Sequence, residues 1–281
     1  MKKARLLAVI AAGAAAAATS LCAFAQPAAK GTVYFAAVKS TIGQGVCVEP
    51  TAVPFYEGDS GIDLVKRAVE VTVQESEYGD YITALKDTDN GGEIPEEIKA
   101  VCPDMTGRNA EGWLSALDYT PESGWSYFLN GGYATVGISG YEPVDGDVVE
   151  YRYTVYGYGS DLGQDNSSWG GAEALVPAVD ASELIKTAAE ADKTTDEYKS
   201  AVEVLGKFGA SQSELDEAVN ALKNAAQPAP ETAESTPEPS ESTASTPEAP
   251  ANTDTGVQSI AAVFGTVAVA ACALALSRKR G

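Results

Sequence analysis

The sequence predicts an α+β chain, and three observations predict it. Trp125, Tyr127 and Leu129 alternate within Gly124–Leu129, so they share one face of a strand, and Asn130-Gly131 follows as a pair that tolerates the positive φ of a tight hairpin turn. After a second turn at Asp145-Gly146, Val149, Tyr151, Tyr153 and Val155 alternate with Glu150, Arg152 and Thr154. Against these strands, Ile62, Val65, Ala68, Val69 and Val73 recur at helical spacing.

From the N-terminus, Lys2, Lys3 and Arg5 precede an alanine-rich apolar run that ends at Ala23-Phe24-Ala25. That is the pattern of a secretory signal peptide over residues 1–25. Leu21 stands before Cys22 where lipidation wants a small residue, so Cys22 is not expected to carry lipid. Residues 30–163 hold the strand patterns and nearly all the aromatic residues. Thr32–Val38 reads as a first strand; Val46–Val48 and Ala52–Phe55 read as a second, interrupted by Pro50. Ser60, with Asp63 three residues on, reads as a capping box opening the helix. A glycine-rich acidic loop, a short helical segment around Trp113, Leu114 and Leu117, and the two hairpins complete the domain. Strands with one helix packed on a sheet face make a β-grasp-like layer.

Residues 180–227 change character. Ser182-Glu183-Leu184-Ile185 opens a helix, Tyr198, Ala201, Val202 and Leu205 mark a second, and Ser213 caps a third containing Leu215, Val219 and Leu222. These read as a small three-helix bundle. Residues 228–255 contain six prolines, six acidic residues and no Lys or Arg, which reads as a disordered stalk with nothing apolar to bury. Val257–Leu276 is apolar and long enough to span a bilayer, and Arg278-Lys279-Arg280 follows as a cytoplasmic stop. The chain is therefore expected at the outer face of the cell, anchored in the membrane or the wall.

The composition excludes several functions. There are 19 Lys and Arg against 40 Asp and Glu; six of the cations lie at the two ends, leaving 13 and a net charge of −27 over residues 26–276. Such a surface repels nucleic acid. With no histidine, Ser-His-Asp and Cys-His catalysis and His-ligated metal sites are absent. Asp87-Thr88-Asp89-Asn90-Gly91-Gly92-Glu93-Ile94 begins like a calcium loop. However, Gly91 holds the fifth position, Ile98 stands where a bidentate Glu is required, and Pro95 intrudes, so a plain polar loop is expected. No metal site, cofactor or catalytic residue is assigned, and the chain is read as a non-enzymatic protein. Cys47 and Cys102 are the cysteines of the exported region; a disulfide between them and two free thiols both stand open.

The block Gly124–Thr154 resembles the transcobalamin-like C-terminal domain, a family that also occurs as a domain of unassigned function in Gram-positive surface proteins. The resemblance covers about residues 32–163 and implies cobalamin or a related corrinoid as ligand. Trp125, Tyr127, Leu129, Gly137 and Tyr141 are the contacts it carries over. The helical-barrel domain that forms the other half of a transcobalamin pocket has no counterpart here, so the ligand would be held weakly or with a partner. Ser211–Leu222 resembles one FIVAR repeat of Gram-positive wall proteins. Residues 252–281 resemble a sortase sorting signal, although Asn252 and Thr253 replace its Leu-Pro opening. Sortase cleavage would fall between Thr255 and Gly256; a plain membrane anchor is the other reading. Two functions follow: a surface binder of a small ligand of the cobalamin type, or an adhesion module recognising an extracellular protein or glycan.

Overall fold

The computed structural model describes residues 28–226, which fall in one compact unit. The expected signal peptide, the stalk and the sorting segment with Thr255 and Gly256 lie outside the described residues. Among the described residues no helix is long and apolar enough to cross a membrane.

In chain order the elements are β1 (Gly31–Val38), β2 (Val46–Phe55), α1 (Gly61–Ala68), β3 (Val71–Gln74), β4 (Tyr81–Lys86), α2 (Glu96–Val101), β5 (Trp113–Ser115), β6 (Gly124–Leu129), β7 (Gly132–Tyr133) and β8 (Val148–Thr154). Helices α3 (Ser182–Glu190), α4 (Asp196–Leu205) and α5 (Gln212–Ala225) follow. The main sheet runs β2-β1-β8-β6-β7, with β1 antiparallel to β2 and parallel to β8; a second sheet runs β3-β4-β5. The α+β class holds.

Several local readings are met by their expected causes. Asn130 and Gly131 both adopt positive φ, 50° and 78°, at the β6–β7 turn. Ser60 and Asp63 form the reciprocal capping box of α1. Strand β2 runs unbroken through Pro50 and Pro54, because it lies at the sheet edge and its pairing with β1 shifts register between Phe35 and Ala37.

Other readings are corrected. α1 ends at Ala68, and Val73 belongs to β3. The segment around Trp113, Leu114 and Leu117 is not helical: Trp113–Ser115 pairs with β4, and Leu117 has φ of 65°. The helix of that region is α2, which the sequence reading passed over as loop. Ser211, not Ser213, caps α5, in a box closed by Glu214. Cys47 and Cys102 are free thiols. They sit on different parts of the fold, with Cys47 Sγ on the carbonyl of Lys86 and Cys102 Sγ on that of Val155.

The main sheet is covered on both faces. Val33, Phe35 and Ala37 of β1, with Val149 and Tyr151 of β8, face α1, β3 and β4. Ala36, Val38 and Val148 face the other way and share a core with Leu184, Ile185, Tyr198, Leu205, Leu215 and Val219 of the three helices. The bundle thus completes the sheet, and Tyr198 Oη donates to Glu49 Oε2 of β2 at 2.9 Å to tie α4 down.

This cover explains why Glu150 and Arg152, the polar side of β8, are buried. Arg152 pairs with Glu150 at 2.6 Å, donates to the Val179 carbonyl and lies 4.2 Å from the centre of the Phe128 ring. Nearby, the buried Asp161 accepts from Thr154 Oγ1 and from the amides of Val155 and Tyr156. Burial pushes its carboxyl up to about 6 despite those bonds. Between its unfolded value of about 4 and that value the folded chain keeps a proton the unfolded chain has released. The stabilisation from this group is therefore fully present below about pH 4 and is lost, by about 3 kcal/mol, as pH rises through about 6. Asp161→Asn, in which the Thr154 hydroxyl can turn to accept, is expected to flatten the urea midpoint between pH 4 and pH 6.5; an unchanged slope would contradict it.

Candidate functional site

The five residues implied by the resemblance do not form one exposed cluster. Trp125 is half-buried; its indole N–H donates to the Leu114 carbonyl at 2.8 Å, and its ring meets Tyr151 and Tyr153 edge-on. Tyr127 stacks on Tyr151, and Leu129 packs on the same core. Tyr141 is buried and donates to Asp147 Oδ2 at 2.7 Å, and burial with that bond pushes its phenol far up. Trp125 and Tyr141 both pack and hydrogen-bond within the fold. Alternation places Trp125 on a strand face but cannot show that a second sheet and α1 cover it.

Three of the five nevertheless meet at one structure, the loop between β7 and β8. Tyr127 Oη donates to the Val136 carbonyl, Gly137 opens the 3-10 turn Ile138–Gly140, and Tyr141 anchors the loop's far end through Asp147. The loop lies against the start of α1. Gly61 donates its N–H to the Tyr141 carbonyl at 2.9 Å, and a Cβ on Gly61 would stand 2.6 Å from the Ile138 carbonyl oxygen and 2.8 Å from Tyr141 Cδ1. Gly61→Ala, which would favour an isolated helix, is therefore expected to destabilise by about 1–3 kcal/mol by pushing the loop away. A denaturation midpoint at or above that of the parent would contradict this contact.

Between this loop and the β2–α1 turn opens a cleft of about 380 Å³. Tyr56, Glu57, Ser60, Gly140, Glu142 and Lys30 are among its walls. Asp59 fixes the turn: it accepts from the Tyr56 amide at 2.6 Å and binds Arg67 through both oxygens, at 2.6 and 2.8 Å. The Arg67 bond holds the Asp59 carboxyl below the usual range. The Arg67 guanidinium in turn lies 4.8 Å from the centre of the Tyr56 ring. The sequence reading missed Tyr56, Glu57 and Glu142. An aromatic residue in the polar turn Tyr56–Gly61 was the available signal, but its opposition to residues 139–143 depends on contacts about eighty positions apart.

The calcium-like loop has its own occupant. Lys39 Nζ sits 2.7 Å from both oxygens of Asp87 and 2.8 Å from the Thr88 carbonyl, and Arg108 binds Asp87 at 2.6 Å. The first carboxylate of the loop is thus neutralised by internal cations. Among the described residues no group of three or more His, Cys, Asp or Glu side chains is placed to hold a metal ion.

A second exposed feature lies at the β7 edge. Tyr133 and Tyr158 are 44% and 66% exposed, Tyr158 adopts φ of 53°, and the Tyr133 ring lies beside Gly159.

No protein-family model matches the chain, and no curated protein matches it. Among solved structures, haptocorrin in complex with Cbi aligns at 16% identity with a TM-score of 0.29, over 45% of this chain and 25% of that one. A Ruminococcus gnavus protein to which metal binding is ascribed aligns at 11% identity with a TM-score of 0.25, over 44% of this chain and 97% of that one. The chain thus spans a quarter of the length of haptocorrin, and likenesses at this level carry no argument about ligand.

Proposed function

We propose that this chain is a non-enzymatic binding protein, exported and held at the outer face of the cell, that takes its ligand in the cleft between residues 56–60 and 139–143. The observation that carries the reading is a cleft whose walls are tied before any ligand arrives: Arg67–Asp59 on one side, Gly61–Tyr141 beneath, Tyr141–Asp147 on the other. Preorganised walls cut the cost of binding. The sheet, with an N-terminal hairpin and its first strand parallel to β8, is read as β-grasp-like. Surface display rests on the signal-like N-terminus and on the apolar span with Arg278-Lys279-Arg280, whether or not a sortase cuts at Thr255-Gly256.

Cobalamin or a related corrinoid is the ligand the resemblance of Gly124–Thr154 supports. With Trp125 bonded to Leu114, contact would fall to the Gly137–Tyr141 loop. Adhesion to an extracellular protein or glycan is the second reading, favoured by the exposed Tyr133 and Tyr158 edge. Equilibrium dialysis of the full chain against cobinamide and against soluble wall polymer tests the proposal. Binding of either one, weakened at least about tenfold by Glu142→Lys and unchanged by Tyr158→Ala, is expected. No binding of either, or loss on Tyr158→Ala alone, would overturn it.

A further inference from the structure

We infer that the cleft is a subsite for a neutral sugar, seated on the Tyr56 ring and bonded by Lys30, Glu57 and Glu142. The inference rests on the cleft being the ligand site proposed above and names the ligand's chemical class. It begins with Tyr56. Arg67 stands over one face of the ring and is itself fixed by two bonds to Asp59, so the ring is held in one orientation. Tyr56 also lines the cleft. A fixed aromatic surface in an open cleft suits the C–H face of a pyranose, which is apolar and flat.

The polar groups around the ring match hydroxyls. A sugar hydroxyl both donates and accepts, so its site needs acceptors and a donor within one small space. Glu57 and Glu142 supply carboxylate acceptors, and Lys30 supplies an ammonium donor, 2.9 Å from Glu57 Oε2. Glu142 makes no ion pair among the described residues, so its oxygens stay available to a ligand. Gly58 and Gly140 add no side chain: a Cβ on either would meet nothing within 4 Å, which leaves the mouth of the cleft wide. A volume of about 380 Å³ lies at the small end of ligand sites, which suits one or two rings of a chain that continues outward.

Charge narrows the class. Glu57, Asp59 and Glu142 border the cleft against Lys30, with Arg67 behind on Asp59, in a chain whose formal net charge is −21. Anionic sugars and phosphates are therefore repelled. Arg67 already places a cation against one face of the Tyr56 ring, which makes the ring a poorer seat for a second cation such as a quaternary ammonium than for a neutral ring. A neutral polyhydroxy ring satisfies both conditions.

Calorimetric titration of the full chain with cellotriose and with N,N′,N″-triacetylchitotriose tests this, with trigalacturonate and choline as charged controls. Saturable binding of at least one neutral trimer, with a Kd of about 1 mM or tighter, is expected. Tyr56→Ala should weaken it at least about tenfold, Tyr56→Phe should keep it, and Glu142→Gln, on an exposed side chain, should weaken it about threefold to tenfold. Glu142→Gln keeps the test decisive if Tyr56→Ala fails to fold. No saturation by either trimer up to about 10 mM, insensitivity to both Tyr56→Ala and Glu142→Gln, or displacement by choline or trigalacturonate would overturn the inference. If the trimers fail while cobinamide still binds in a Glu142→Lys-sensitive way, the sugar assignment falls and the cleft stands. If nothing binds, both fall.

Discussion

Lys39→Met is expected to destabilise the protein by about 3–5 kcal/mol, enough to unfold much of it at moderate temperature. Lys39 is fully buried, and its ammonium is enclosed by both oxygens of Asp87 and the Thr88 carbonyl. Methionine replaces the alkyl stem but removes the charge. Asp87 then stays buried with Arg108 as its remaining cation, and the Thr88 carbonyl loses its donor. The cost arises from the buried hydrogen bonds that Asp87 and the Thr88 carbonyl lose, because Arg108 still neutralises the carboxylate. Asp87→Asn in the Lys39→Met background should cost more still, because it leaves the buried Arg108 without its carboxylate. Urea denaturation followed by far-UV circular dichroism reads both changes. A midpoint within error of the parent would mean that water reaches Asp87 and that the ion cluster does not hold the loop.

Removing residues 180–226 is expected to cost the remaining chain about 5 kcal/mol. That deletion uncovers Ala36, Val38 and Val148 and the half-buried Tyr34 and Val46, at about 1 kcal/mol or more each. It also opens the Glu150–Arg152 pair, which lies beside Ala181, Leu205 and Leu215 of the deleted segment. The shortened chain should melt far lower than the parent, or aggregate through its exposed sheet face. Equal melting temperatures would show that the helices are a passenger and that the sheet is stable with one face bare.

Much of the fold is legible in local signals. The Asn130-Gly131 turn, the β8 alternation and the Ser60 capping box each declare themselves in a few residues, because the backbone conformation they need is set by nearest neighbours. The tertiary cover is less legible. Glu150, Arg152 and Thr154 look like a solvent face, and only the docking of α3–α5 makes an ion pair and a cation–π contact the way they are buried. Trp113–Ser115 has no strong pattern of its own and becomes a strand because β4 offers an edge. The site follows the same rule. Trp125 and Tyr141 stand out by type, yet their hydrogen bonds to Leu114 and Asp147 engage their polar atoms within the fold. Tyr56 and Glu142 look ordinary and are brought to one cleft by the contact of Gly61 with Tyr141.

The most direct test of the cleft is amide chemical-shift mapping of the full chain, titrated in turn with cobinamide and with a soluble neutral wall glycan. The account predicts that at least one titration moves the amides of Tyr56–Gly61 and Ser139–Glu142 most, with the Gly157–Gly159 turn unmoved. Shifts confined to Tyr133 and Gly157–Gly159, or none from either ligand, would contradict it and move the recognition surface to the β7 edge or off this unit.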